Sequence, residues 1–286
     1  MTWFLIATCS ALLSASAAVM QKKVLRDLSP LEFSFLGSGI IFVFSAATFF
    51  TTEPFSVPPE TIAVIIGKSV LGGVAFLCVM TALAKGPISG VLPLLGLTPA
   101  VTALFSLLMT GESLLLREWG GIFLMIAGTT ILEAGGREKG ILAKRHLLIG
   151  AALCLFAVSS VIDRMLVTGF RADPGVVLFY QHAVYCILFG ALFLLRRKSF
   201  RGLAAGGMAH LPLLLGIAIA TLGYRWTQLE AMTLAPAALV LAVKRTSILY
   251  ASAYGGKFFR EEGLGTRLLG AALIIGAGFM ILRNVM

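Results

Sequence analysis

Ten apolar runs separated by short polar stretches account for almost the whole chain. They cover about 2–20, 31–51, 61–84, 87–110, 119–134, 147–167, 174–195, 211–233, 235–254 and 264–282. A membrane-spanning helix needs about 20 mostly apolar residues, so the pattern predicts ten spans. The separators carry the turn and charge residues, as in QKKVLRDLSP, TTEPFSVPPE, GGREKGILAKRH, RRKSFRGLAAGG and GGKFFREEG. Two links, around Pro87 and Pro236, are so short that the runs they join are expected to be antiparallel neighbours. The opening run lacks the basic n-region of a signal peptide, and a similar segment recurs mid-chain, so it reads as a retained span.

Composition agrees with this pattern. The 286 residues are 58% hydrophobic and 13% charged, with a mean hydropathy of +0.97. A soluble domain is about 45–50% apolar and about 25% charged, so no stretch is left over for one. The net charge is +10, but the basic residues lie between apolar runs, as a topology signal does and a nucleic-acid footprint does not. The links after the odd-numbered runs hold fifteen Lys and Arg; the opposite side holds Arg117, Arg171 and Arg283. The positive-inside rule puts the rich side in the cytoplasm and both termini outside. Cys9, Cys78, Cys154 and Cys186 all lie in apolar runs without CxxC spacing, and read as buried small hydrophobes.

The two halves resemble each other. Displaced by 149 residues, Ala82 meets Ala231, Pro87 meets Pro236, Glu112 meets Glu261 and Gly121 meets Gly270. The first spans align at a shift of 142, AAVMQKKVL against SSVIDRMLV, and Pro30 and Pro174 each open a second span. The predicted units are 1–136 and 146–286, each with five transmembrane helices. An odd number of spans per unit places the units in opposite orientations. The expected fold is therefore an all-α integral membrane protein with ten transmembrane helices as two inverted five-helix repeats. Inverted repeats mark transporters that bind substrate near the midplane.

Charged residues inside apolar runs are the candidates for chemistry, because a cation at the bilayer centre must face protein or water. Lys244 and Arg245 are the strongest. Counted from Pro236, Lys244 lies roughly 12 Å into its run, at 1.5 Å per residue. Both suit a carboxylate or phosphate, Arg by its fork and Lys as a point charge. Ser247 adds a hydroxyl. Tyr224 and Gln228, four apart, share a helix face and read as a site wall; Arg225 beside them reads either as part of it or as the partner of a carboxylate. Lys68 is either a further cavity cation or a snorkelling lysine. His182 and Asp163 are candidates for coupling to a proton or another ion, against the plainer readings of a packing histidine and a boundary aspartate. Glu112 and Glu261 read as organisers of loops at helix ends. No nucleotide-binding, hydrolase or metal motif stands in the required context, so neither an enzyme nor a cofactor is expected.

The segments ALAKGPISGVLPLL and LLMTGESLLLREWGGIFLMIAG, with their second copies EAMTLAPAALVLAV and AYGGKFFREEGLGTRLLGAALIIGAG, resemble the drug/metabolite transporter superfamily of EamA type. Gly111-Glu112 and Gly121 fit that family's pattern; the second copy keeps Glu261 and Gly270 but has Arg260 where glycine is usual. The Lys244-Arg245 pair is similar to a phosphate-contacting pair in the organophosphate-translocator branch. The resemblance implies a ten-helix secondary transporter of a small metabolite, commonly an exporter, that needs no bound cofactor. The expected setting is the inner membrane, and the expected partners are a small-molecule substrate, the lipid bilayer and a proton or other coupling ion, with no nucleic acid. The alternatives are an exporter of neutral or zwitterionic amino acids, and, from another class, a channel or a structural membrane protein.

Overall fold

The computed structural model describes residues 2–47, 57–85, 95–134, 142–197, 199–247, 250 and 264–282. Among these the chain is all α-helical. The helices are α1 Thr2–Val24, α2 Pro30–Ser45, α3 Pro59–Lys85, α4 Thr98–Thr110, α5 Leu116–Ala134 and α6 Leu142–Thr168, followed by α7 Pro174–Leu195, α8 Phe200–Ala209, α9 Leu211–Leu234, α10 Ala237–Lys244 and α11 Leu264–Leu282.

Local sequence explains where several of them begin. Ser29 caps α2 in a reciprocal box with Glu32, and Pro30 takes the first helical position, where a missing N–H costs nothing. Asp173 accepts from the Gly175 amide ahead of α7, which opens on Pro174 in the same way. Gly111 ends α4 at φ 68, a left-handed position that glycine reaches without a Cβ penalty.

The expectation of ten spans in two inverted five-helix repeats is overturned. Among the described residues, four helices are long and apolar enough to cross a membrane: Thr2–Val24, Pro59–Lys85, Leu147–Thr168 and Pro174–Leu195. A fifth is added if Phe200–Ala209 and Leu211–Leu234, bent by 80° to each other, count as one span. An apolar run does not reveal where its helix breaks. The second run gives 16 helical residues and the fourth, as far as it is described, 13, or about 24 and 20 Å at 1.5 Å per residue against a hydrocarbon core of about 30 Å. The ninth run, as far as it is described, gives the eight residues of α10, a turn at Arg245 and Thr246, and helical positions again at Ser247 and Tyr250. Lys244 therefore stands in a last helical turn with Arg245 as the C-cap, where cations complement the free carbonyls, and not in mid-helix. Most of the run beyond Ser247, like Pro87 and Glu261, lies outside the described residues. The tenfold pattern also gave no hint of α8.

What remains is a multi-pass membrane protein. In each of the four spans half or less of the best apolar window is buried inside the protein, and large apolar side chains such as Leu5, Ile187 and Leu195 face outward, as a lipid-facing surface requires. The cysteines follow the same logic: all four are free, but Cys9 and Cys154 are exposed and the other two partly so, correcting the expectation that they are buried.

The most extensive helix contacts pair α5 with α11, α1 with α9, α3 with α6 and α2 with α7, so each joins the first half of the chain to the second. Ser10 donates to the Tyr224 carbonyl at 2.7 Å between α1 and α9. Two apolar cores result. One, at the end where α1 begins and α9 finishes, contains Trp3, Ile65, Leu166, Leu229, Met232 and Leu239. The other, where α1 finishes and α9 begins, contains Val24, Leu28, Val79, Leu83, Ile149 and Leu214.

The α5–α11 pair needs a residue without a side chain. A Cβ at Gly128 would stand 2.6 Å from the Gly270 carbonyl oxygen and 2.9 Å from Ile274. Gly128→Val is expected to destabilise the protein by about 1–3 kcal/mol, the usual cost of overpacking, read as a lower midpoint in thermal unfolding of the purified protein.

Candidate functional site

A cavity of about 180 Å³ lies between the two cores. Its walls come from the last turns of α1 (Gln21), the first half of α2 (Ser38), the last third of α3 (Met80), the start of α4 (Thr98) and the middles of α6, α7 and α9. These helix ends belong to the second core, and Lys22 Nζ ties two of them by donating to the Leu83 carbonyl at 2.6 Å. At the other end the first core forms a floor, reached by Leu241 of α10. The cavity therefore lies toward the end flanked by Lys22, Lys23, Arg26, Lys85, Arg196 and Arg197, with the first core between it and the end that holds Arg171.

Its inner wall is built on one carboxylate. Asp163 of α6 is buried, and both its oxygens are engaged: Lys68 of α3 donates to Oδ1 at 2.5 Å and Arg225 of α9 to Oδ2 at 2.9 Å. The same two cations donate to the Gln181 Oε1 of α7, at 2.6 and 2.9 Å. Four helices thus meet in one network of charge-assisted bonds, the kind about twice as strong as neutral ones. The chemistry balances locally, since each cation finds two acceptors and each acceptor two cations.

Lys244 and Arg245 are arranged differently. Lys244 Nζ donates to Gln228 Oε1 at 2.5 Å and lies 4.2 Å from the Tyr224 ring centroid, a cation–π distance. Both partners are neutral. Arg245 Nε is buried without a hydrogen-bond partner, and so is Arg225 Nε. Among the described residues neither Lys244 nor Arg245 has a carboxylate within ion-pair range. His182 packs edge-on to Tyr185 with centroids 5.5 Å apart, and both its ring nitrogens lack partners.

Of the residues singled out in the sequence, Lys244, Arg245, Tyr224, Gln228, Ser247, His182 and Asp163 line this cavity together. Lys68 stands behind Asp163, with a side chain 0% exposed; the snorkelling alternative is gone. Asp163 is a core counter-ion, 1% exposed, where a boundary residue was the plainer expectation. Gln181 and Tyr185 were not foreseen as wall residues. The signal for Gln181 was an uncharged amide in mid-run, which also fits plain helix packing. Arg225 proves to be the carboxylate partner that one of its readings named.

Arg164, next to Asp163, belongs to the opposite end. Its Nε donates to Glu112 Oε1 at 3.0 Å, and its Nη1 to the carbonyls of Met232 and, at 2.7 Å, Ala235. It so joins the loop after α4 to the frayed end of α9, satisfying carbonyls that the helix leaves open. Glu112 works as an ion-pair partner here, in place of the expected loop cap.

Sequence comparison now bears on this architecture. Residues 1–133 match the EamA-like transporter family. The EamA match runs from the start of α1 nearly to the end of α5. No curated protein matches the chain. A solved crystal structure described only as "Crystal structure of protein" is similar over 99% of this chain and 98% of its own, with a TM-score of 0.76 and 20% identity; at that identity it speaks for the fold alone.

The network makes an unequal prediction for its members. Lys68→Met leaves Asp163 with Arg225, whereas Asp163→Ala strands two buried cations. Asp163→Ala is expected to cost about 3–5 kcal/mol, the range for an orphaned buried charge, and Lys68→Met clearly less, measured by thermal unfolding in a fixed detergent or lipid.

Proposed function

We propose that this protein is a secondary transporter that moves a small organic anion, bearing a carboxylate or a phosphate, across the inner membrane by alternating access. The observation that carries the reading is the pair Lys244 and Arg245. Two cations beside a membrane-embedded cavity, without a carboxylate partner among the described residues, present a site whose missing counter-charge a ligand supplies. The EamA match over the first 133 residues and the family's transport role support the same class. Lys244 and Arg245 hold the anionic group; Tyr224, Gln228 and Ser247 contact the rest. Asp163 acts as the fixed counter-ion of Lys68 and Arg225.

The orientation follows from the basic residues. The positive-inside rule puts the end near Lys22, Lys23 and Arg26 in the cytoplasm, so the cavity approaches the cytoplasm in this state and substrate leaves on the far side. Release there requires the floor to part. The Arg164–Glu112 ion pair, with the bonds from Arg164 to Met232 and Ala235, is the latch across it. A floor of packed apolar side chains also speaks against the channel alternative, since a pore needs continuous access.

Reconstitution tests the reading. Uptake of labelled organic acids and organophosphates into proteoliposomes is expected to saturate for one compound class and to fall at least about tenfold in Lys244→Ala/Arg245→Ala, the loss of one charge-assisted contact or more. Flux that stays linear in concentration, or that survives the double change intact, sinks the proposal. For the latch, Glu112→Gln is expected to raise the rate at which a cysteine placed at Thr168, beside the pair, reacts with a water-soluble maleimide added from the far side; an unchanged rate removes the latch role.

A further inference from the structure

Resting on the anion-transport reading above, we infer that the cavity selects organic anions that carry no ammonium group, so that hydroxy acids, oxo acids or phosphate esters are its substrates and amino acids are not. An α-ammonium is held best by a carboxylate or by an aromatic face clear of other cations. Among the described lining residues Asp163 is the one carboxylate, and Lys68 and Arg225 occupy both its oxygens. Gln181 Oε1 is taken by the same two cations, and Gln228 Oε1 by Lys244. The Tyr224 ring already carries Lys244, and the other lining rings, Phe33, Phe76, Phe156 and Tyr185, share the cavity with Arg225, Lys244 and Arg245.

What is left over for a ligand is of the opposite character. The buried Nε groups of Arg225 and Arg245 are unused donors that call for an anion's oxygens. The hydroxyls of Ser38, Ser159 and Thr98 direct their protons to backbone carbonyls of Phe35, Lys68 and Leu95, which leaves their oxygens as neutral acceptors. With His182 and the Gln21 amide, which also line the cavity, these suit a ligand hydroxyl. Four cations set against one carboxylate would repel an ammonium placed among them. A zwitterion would gain at its carboxylate and lose at its amine.

The test compares matched pairs on the full-length protein in lipid nanodiscs: lactate with alanine, 2-oxoglutarate with glutamate, and glycerol 3-phosphate with phosphoethanolamine. Binding is read by calorimetry at constant ionic strength. In any pair that binds, the ammonium-free member is expected to bind at least about tenfold more tightly, and the carboxylate and phosphate arms tell which headgroup is preferred. Gln228→Glu, which brings a new carboxylate to the wall, is expected to narrow that gap. An ammonium-bearing member that binds as tightly as its partner in the wild type, with Lys244→Ala/Arg245→Ala abolishing both, overturns the inference and leaves the anion site standing. Binding that the double change does not weaken, or no binding by any probe, overturns the anion site and the inference with it.

Discussion

A cation inside a lipid bilayer must be answered by something, and in this protein the answer is Asp163. The residue has two oxygens and two partners, Lys68 and Arg225, and each partner comes from a different helix. Without the carboxylate, α3 and α9 would present like charges to each other through Lys68 and Arg225 in a low-dielectric interior, where their repulsion is barely screened. With it, four helices converge beside the cavity. Lys244 and Arg245 are then tolerable because the cavity reaches them, so that they are neither in lipid nor sealed in protein.

The charged residues around the cavity were conspicuous in the sequence, and for a simple reason. Charge is so expensive within an apolar run that each intramembrane Lys, Arg or Asp is conspicuous. Lys68, Asp163, Lys244 and Arg245 stand out on that ground alone, and they do share one neighbourhood. Their pairing was not readable. Lys68 and Asp163 are 95 positions apart, and no local rule links them; only the packing of α3 on α6 does. Uncharged wall residues such as Gln181 and Tyr185 carry a weaker signal, because amides and tyrosines also occur in ordinary helix packing.

The architecture was less legible. Apolar runs located the helices well, and α7 and α11 begin and end where the runs do. Their status as spans was overestimated. The run that contains Lys244 looks continuous in hydropathy, yet α10 ends at the cation and a turn at Arg245 and Thr246 follows. The run from Leu211 is diluted by Tyr224, Arg225, Trp226, Gln228 and Glu230, of which Tyr224, Arg225 and Gln228 line the cavity. Where function inserts polar groups, hydropathy is a poor ruler.

Asp163 and Arg164 are consecutive residues, about 100° apart around α6, and they serve opposite ends of the molecule. Asp163 anchors the cluster on which the cavity is built, and Arg164 reaches Glu112 and the carbonyls of Met232 and Ala235. α6 is in this sense a shaft with two cams. Because the two residues ride on one helix, a rotation of α6 about its axis would disturb both sets of contacts together.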